Sequence, residues 1–191
     1  MQRTEEMLTV AVSGSPRRDG NTSILLKEVL DNLEGEKELI SLAGLNLHPC
    51  TNCGGCFTNP RCIVEDDIPP IIDRMTKADI IILGSPCYFK GVTSQLKMLI
   101  DRTVSVYETH PFRNKIGAGV VVQDEYGKGR GGESVVRAIA EYIGTMGMLY
   151  VGGIIGEGGL DLYNVKKDKR AMSEAQDLAN RIQEIYALTH S

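Results

Sequence analysis

The chain has 191 residues, of which 42% are hydrophobic and 24% are charged, and this size and composition fit one globular domain with a full core. Its 21 lysines and arginines against 25 aspartates and glutamates give a formal charge of −4, opposite in sign to the basic surface of a nucleic-acid-binding protein. No apolar stretch reaches membrane-spanning length, and Glu5 and Glu6 stand where a secretory signal would need basic and then apolar residues. We therefore expect one cytoplasmic domain over residues 1–191, with neither a nucleic acid nor a membrane as its partner.

Apolar runs rich in β-branched residues predict five strands. In chain order they cover residues 8–12, 38–42, 78–83, 116–122 and 149–155. Segments with apolar residues at helical spacing follow each of them. These segments cover residues 25–33, 68–75, 96–103, 136–146 and 171–185. Strands that alternate with helices predict βαβ units, so we expect a parallel sheet with helices on both faces.

The stretch SGSPRRDGNTS at 13–23 follows the first predicted strand and precedes a helix. Ligands of open α/β sheets bind outside the carboxyl ends of the strands, and backbone N–H groups at a helix start suit a phosphate. The hydroxyls of Ser15, Thr22 and Ser23 and the cation of Arg17 strengthen this interpretation. The stretch lacks both the G-x-G-x-x-G spacing and the Lys-Ser/Thr ending of a P-loop, so a mononucleotide phosphate fits best. The alternative is an ordinary polar turn in which Asn21 or Thr22 caps the helix.

The stretch GSPCYFKGVTSQLKMLIDR at 84–102 follows the third predicted strand. Pro86, Tyr88, Phe89 and Gly91 predict a bend that is too aromatic for a purely structural turn. A planar ring could rest against such a bend.

A third stretch, GKGRGG at 127–132, has Gly127, Gly129 and Gly132 at G-x-G-x-x-G spacing before a helix, and Glu157 ends the next strand. This pattern could mark a nicotinamide dinucleotide site. However, residues 124–126 separate the glycines from the strand, whereas the dinucleotide fingerprint normally follows its strand directly. We expect instead a flap over a bound cofactor.

The stretch CTNCGGCFTNPRC at 50–62 holds four of the five cysteines within a long irregular interval, 43–67. Its spacing, C-x2-C-x2-C-x5-C, nearly repeats the ferredoxin run in which thiolates hold an iron–sulfur cluster. Structural zinc sites usually place two cysteine pairs a dozen or more residues apart, and disulfides are rare in a reducing cytoplasm. The spacing therefore favours a [4Fe–4S] cluster over zinc. Its candidate ligands are Cys50, Cys53, Cys56 and Cys62, and His48 is left out of the ligand set.

The stretches GSPRRDGNTS, CTNCGGCFTNPRC and GSPCYFKGVTSQLKMLIDR, in this chain order, resemble the motifs of the iron–sulfur flavoproteins, a branch of the NADPH-dependent FMN reductase group within the flavodoxin-like fold. The resemblance implies a three-layer sandwich with a five-stranded parallel sheet in the order 2-1-3-4-5, and a homodimer or homotetramer. It places the FMN phosphate and the flavin ring on the first and third strand loops. The implied FMN-binding residues are Ser15, Arg17, Asn21, Thr22, Ser23, Pro86, Cys87, Tyr88, Phe89 and Gly91. Cys87 departs from the family, which commonly has an aliphatic or small residue there.

A cluster exchanges single electrons and FMN passes one or two, so a chain with both can convert between the two kinds of carrier. By resemblance, we expect electrons to pass from a ferredoxin-like donor through cluster and flavin to a small oxidant or quinone. One alternative is an NAD(P)H-dependent FMN or quinone reductase with a structural or empty cysteine loop. The other is a non-enzymatic partner-binding module whose scaffold is stabilised by zinc.

The apolar side chains of the interval 43–67 have little predicted core of their own. We therefore expect this interval to lie at a subunit interface, where the cluster could serve the FMN of a neighbouring chain. The side chains concerned are Leu45, Leu47, Phe57, Ile63 and Val64.

Overall fold

A computed structural model describes residues 6–124, 131–158 and 164–190. The strands are β1 Leu8–Ser13, β2 Glu36–Ser41, β3 Ile80–Pro86, β4 Ile116–Gln123 and β5 Leu149–Glu157. The α-helices are α1 Asn21–Asp31, α2 Ile68–Lys77, α3 Ser94–Arg102, α4 Gly132–Thr145 and α5 Lys169–Thr189. Short 3-10 segments cover Gly55–Phe57, Thr103–Thr109 and Asn164–Lys167.

The five strands form one sheet in the order β2-β1-β3-β4-β5, and every neighbouring pair is parallel. The predicted strand number, direction and order are confirmed. The predicted start of the third strand at Ala78 is two residues early, because Ala78 is buried at the end of α2 without belonging to the ladder. An apolar pattern indicates which side chains are buried, but it does not indicate which backbone groups pair in a sheet. The predicted strand therefore began too early.

Helices cover both faces of the sheet. One buried cluster joins the sheet to α1 and α5, and the other joins it to α2, α3 and α4. Within β1, Ala11 faces the first cluster while Val10 and Val12 face the second, as the two-residue period of a strand requires. The predicted three-layer sandwich is therefore confirmed.

The connection from β2 to α2 divides into two parts. Leu45 and Leu47 pack against the protein's own core, so the expectation that they need a second subunit is wrong. Further along, Phe57 and Ile63 are 72% and 63% exposed. Only the second part thus presents large apolar side chains to the surface.

Across the ranges that the structure describes, none of the helices is both long enough and apolar enough to cross a membrane.

Candidate functional site

The loops after β1, β3 and β4 line one pocket of about 230 Å³, which we call the edge pocket. It lies at the carboxyl ends of parallel strands, where ligands of this kind of sheet bind. Seven of the sequence-predicted residues line it. They are Ser15, Arg17, Asn21, Thr22, Pro86, Cys87 and Tyr88. Gly20, Val122, Gln123 and Asp124 also line it and were not predicted, since no residue type or spacing distinguishes them in the sequence.

The β1–α1 loop folds onto itself before the helix starts. The backbone N–H of Arg17 donates to Oγ of Ser15 at 3.1 Å, and the N–H of Gly20 donates to the carbonyl of Arg17 at 3.1 Å. The N-cap residue of α1 is Gly20, and no side chain caps the helix. The alternative interpretation, in which Asn21 or Thr22 caps the helix, is therefore wrong. A helix start without a side-chain cap at the edge of a pocket is the arrangement that binds anions.

Asn21 and Ser23 shape this loop through bonds inside the protein. The amide of Asn21 donates to the carbonyl of Gly158 at 2.7 Å, and its Oδ1 accepts from the N–H of Val165 at 3.3 Å. Oγ of Ser23 bonds to Oγ of Ser13 at 2.9 Å, and both side chains are buried. Asn21 thus ties α1 to the end of β5, and Ser23 ties it to β1 rather than lining the edge pocket.

The loops after β1 and β3 are joined directly. Oγ1 of Thr93 donates to the carbonyl of Gly14 at 2.6 Å and accepts from the N–H of Leu96 at 3.3 Å, which caps α3. A Cβ atom at Gly14 would lie 2.6 Å from Cβ of Leu96, closer than real Cβ contacts. Glycine is therefore required there, because the two backbones approach too closely for a side chain.

The bend after β3 is a two-residue turn closed by a pair of hydrogen bonds between Tyr88 and Gly91, of 3.1 and 2.9 Å. Its central residues Phe89 and Lys90 have φ of 50° and 64°, which is the type I′ conformation that asparagine and glycine favour. Phe89 is fully exposed and Tyr88 half exposed. The predicted aromatic bend is confirmed in shape, but Phe89 and Gly91 do not line the edge pocket. Residues that adopt the left-handed conformation without being glycine store strain, which concentrates at functional sites.

The possible nicotinamide motif falls mostly on residues 125–130, which lie outside the described residues. Its last member, Gly132, begins α4 and donates its N–H to Oε1 of Gln123 at 3.1 Å.

The four clustered cysteines line a second pocket, of about 40 Å³, which we call the cysteine pocket. Phe57, Ile63, Val64 and Val104 provide its apolar walls. The sequence motif is thus brought together around one cavity, as its spacing predicts. Cys87 lies apart, in the edge pocket.

Hydrogen bonds converge on the sulfur atoms of the cysteine pocket. The N–H of Asn52 donates to Sγ of Cys50 at 3.4 Å. A hydrogen bond from the backbone N–H of Gly55 lowers the pKa of the Cys53 thiol. Gly54, with a φ of 75°, supplies the left-handed turn that starts the short 3-10 segment. Donors aimed at sulfur stabilise the thiolate form, which is the form that binds metals.

Arg102, the last residue of α3, also reaches this pocket. Its Nε–H donates to Sγ of Cys62 at 3.1 Å, and its guanidinium forms an ion pair of 2.9 Å with Asp66. Sequence reasoning missed both residues. An arginine at the end of an amphipathic helix normally indicates a solvated partner of the helix dipole, and no local signal marks this one as buried.

Within the described ranges, no three or more histidine, cysteine, aspartate or glutamate side chains converge on one point as ligands of a single metal ion. A cubane cluster makes a different demand, because each thiolate binds its own iron atom. Four cysteines spread around one cavity, with N–H groups directed at the sulfurs of Cys50, Cys53 and Cys62, fit that donor set.

Comparisons with known proteins show the family to which the chain belongs. The family model described as NADPH-dependent FMN reductase matches residues 7–158. An iron–sulfur flavoprotein of Methanocaldococcus jannaschii is 41% identical over 149 residues, which is 76% of each chain. An iron–sulfur flavoprotein of Archaeoglobus fulgidus is 33% identical over 199 residues, covering 96% of this chain and 97% of its own.

Solved structures agree on the fold. The Trp repressor binding protein of Bacillus subtilis has a TM-score of 0.68 and 25% identity, over 90% of this chain and 98% of its own. An NAD(P)H:quinone oxidoreductase of Methanothermobacter marburgensis has a TM-score of 0.69 at 13% identity, over 94% and 98%, and indicates the fold alone. Together with the strand order, these likenesses show a flavodoxin-like fold. The chain is therefore a flavin oxidoreductase that belongs to the NADPH-dependent FMN reductase family, in its iron–sulfur flavoprotein branch.

Proposed function

We propose that this protein transfers electrons from a ferredoxin-like donor, through a [4Fe–4S] cluster and FMN, to a small oxidant or quinone. The observation that carries the proposal is the presence of two sites in one chain: the edge pocket and the cysteine pocket. The names of the iron–sulfur flavoprotein relatives support the pairing of the two cofactors.

The edge pocket would hold FMN. Ser15, Arg17 and Thr22 lie beside the start of α1, where N–H groups and a guanidinium suit the phosphate dianion. Asn21 and Ser23 hold that loop in shape. Pro86, Cys87 and Tyr88 line the same pocket from the β3 side, and we assign the flavin ring to them and to the turn that contains Phe89 and Gly91.

The cysteine pocket would hold the cluster, with Cys50, Cys53, Cys56 and Cys62 as its ligands. A bound [4Fe–4S] cluster supplies single electrons and FMN supplies one- or two-electron transfer. The residues of this chain would bind and orient the two groups. We expect the protein to work in a reducing cytoplasm, where cysteines rarely form disulfides.

We also propose that the whole chain is one domain whose residues 43–67 form the cluster-binding loop, and that the chain assembles as a homodimer or homotetramer. Phe57 and Ile63 support the second point, since both are exposed beside the cysteine pocket. Burial of these side chains against another subunit would remove apolar surface from water. Sedimentation across a dilution series tests this assembly, and a monomer at every concentration would contradict it.

The second candidate function is an NAD(P)H-dependent FMN or quinone reductase in which the cysteine loop is structural or empty. The description of the matching family model favours it. The two functions differ in their reductant, because the first predicts that a pyridine nucleotide reduces the flavin poorly compared with a reduced ferredoxin.

Anaerobic purification and reconstitution with iron and sulfide, followed by visible and paramagnetic-resonance spectra, test the cofactor content. Stopped-flow mixing with NADPH or with reduced ferredoxin then tests the reductant. The proposal predicts about four irons per chain and faster flavin bleaching by ferredoxin. Fast bleaching by NADPH in a protein that binds no iron would instead support the reductase.

A further inference from the structure

We propose that Arg102 is the positioning residue of the cysteine pocket: it fastens both ends of the cysteine loop and directs a cationic N–H group at the sulfur of Cys62. The inference deepens the proposed function, because it assigns a residue outside the cysteine motif to the support of the cluster. It also makes Cys62 chemically distinct from the other three ligands.

The guanidinium of Arg102 uses every donor that it has. An arginine carries five N–H groups in a planar fork, and five hydrogen bonds leave this one. Nε donates to Sγ of Cys62 at 3.1 Å. Nη1 donates to the carbonyl of His48 at 3.0 Å and to Oδ2 of Asp66 at 2.9 Å. Nη2 donates to the carbonyl of Val64 at 3.1 Å and to Oδ1 of Asp66 at 3.2 Å. The side chain has no solvent-exposed surface. A polar group satisfied this completely is held in a single orientation.

The bonded residues lie on both sides of the cysteine motif. His48 precedes the first cysteine by two positions, whereas Val64 and Asp66 follow the last one, Cys62. Asp66 also accepts from the backbone N–H of His48 at 2.8 Å. Arg102 and Asp66 therefore close residues 48–66 into a loop anchored to the end of α3. The anchor does not depend on a bound metal, since it is formed by the protein alone.

Lysine cannot reproduce this anchor. Its ammonium group is a point charge with three donors, whereas the contacts of Arg102 lie in the plane of a fork. Removing one partner of a buried ion pair also leaves the other charge uncompensated, which is strongly destabilising. Arg102→Lys therefore keeps the positive charge but loses the planar arrangement of donors, so it tests the two contributions separately.

The bond to Cys62 has a consequence for redox chemistry. The N–H groups at the sulfurs of Cys50 and Cys53 come from the neutral backbone, whereas that at Cys62 comes from a cation. Hydrogen bonds to cluster sulfurs help to set the reduction potential, and a cationic donor favours the more negatively charged, reduced state. Loss of Arg102 should therefore lower the potential of a cluster bound there.

The first test uses the protein without metal. Arg61 lies inside the loop and is exposed, so trypsin cleavage after Arg61, identified by mass spectrometry, reports how often the loop opens. We expect faster cleavage in Arg102→Gln and Arg102→Lys than in the wild type. The matched control is Arg74→Gln, which removes an exposed ion pair with Glu38 and should leave the cleavage rate unchanged. Equal rates in all four proteins would overturn the anchoring role.

The second test uses the reconstituted protein, with FMN content as the check that each variant has folded. Substitution of residues that orient ligands typically weakens metal binding by about 10- to 100-fold, and we expect this loss for iron in Arg102→Gln. Arg102→Lys should retain more iron and show a midpoint potential below that of the wild type in an anaerobic redox titration. An unchanged iron affinity and potential in both variants would overturn the proposal. If the wild type itself bound no iron, the proposed function would fail, while the trypsin test would still decide whether Arg102 anchors the loop.

Discussion

Thr93 and Gly14 connect the two loops assigned to FMN, through a hydrogen bond of 2.6 Å from the buried Thr93 hydroxyl to the Gly14 carbonyl. The same hydroxyl caps α3. One side chain thus joins the β1 side and the β3 side of the edge pocket.

Thr93→Val should therefore lower both stability and FMN affinity. It removes a helix cap and leaves a buried carbonyl without its donor, which together cost about 1–3 kcal/mol. Thr93→Ser keeps the hydroxyl and is the matched control. Urea unfolding followed by circular dichroism, with flavin fluorescence titration for affinity, checks the prediction. Equal behaviour of the valine and serine variants would show that the hydroxyl does not connect the loops.

Arg17→Ala combined with Thr22→Ala should weaken FMN binding. Both residues line the edge pocket beside the start of α1, and hydrogen bonds to a charged group contribute about 1.5–3 kcal/mol each. Riboflavin, which lacks the phosphate, provides the control, because its affinity should change much less. An unchanged FMN affinity in the double variant would mean that the phosphate binds elsewhere.

Serine substitution at Cys50, Cys53, Cys56 or Cys62 should abolish or strongly reduce iron binding. Each side chain lines the cysteine pocket, and a cubane needs one thiolate per iron. Cys87→Ser is the control, since Cys87 lies in the edge pocket. Iron and sulfide analysis after anaerobic reconstitution measures the outcome. Loss of iron in Cys87→Ser would contradict the ligand assignment.

The contribution of Asp66 to stability should disappear in acid. Burial opposes ionisation, but hydrogen bonds from Arg102 and from the backbone N–H groups of His48 and Ile68 outweigh it and hold the pKa of Asp66 below its usual range. Because the folded pKa lies below the unfolded value of about 4, the stabilisation is fully present above that pH. It is lost as the pH falls through the folded pKa.

Comparison of the wild type with Asp66→Asn isolates this effect. The difference between their free energies of unfolding should be constant from neutral pH down to about 5 and should shrink below about 4. Urea unfolding of the metal-free proteins at a series of pH values measures the difference. A difference that grew towards acid would show that the carboxylate is not stabilised in the folded state.

The turn at Phe89 and Lys90 should be strained. Both residues have left-handed backbone angles, which cost about 1–2 kcal/mol for a residue other than glycine. The double substitution Phe89→Asn with Lys90→Gly supplies the residues that a type I′ turn favours and should raise the free energy of unfolding by about 1 kcal/mol. Thermal and urea unfolding of the FMN-free protein check this, and a loss of stability would contradict the strained turn.

Much of this fold follows from local sequence. The buried strands β3 and β4 are nearly continuous apolar runs, and parallel strands covered on both faces require that composition. The alternation of strands and helices then predicts a parallel sheet, because βαβ crossovers have one hand. The strand order needed the family resemblance, since periodicity alone does not say which strands are neighbours.

The two pockets could be predicted only as motifs. The residues at the β1–α1 loop and in the cysteine run lie close together in sequence, so their spacing already indicates the chemistry they can perform. The roles of individual side chains depended on distant partners. Asn21 donates a hydrogen bond to Gly158, which is 137 positions away in the sequence. This distant contact, which no local pattern indicates, gives the Asn21 side chain a structural role.

Hydrophobic period predicts the class of fold and cysteine spacing favours a cluster site, because both are local properties of the sequence. Only the tertiary structure decided that Arg102 lies buried between His48 and Asp66, 54 and 36 positions away. It also decided that Leu45 and Leu47 pack on the protein's own core. In each case burial and hydrogen bonding depend on which segments lie next to one another in space, and a local sequence pattern does not contain that information.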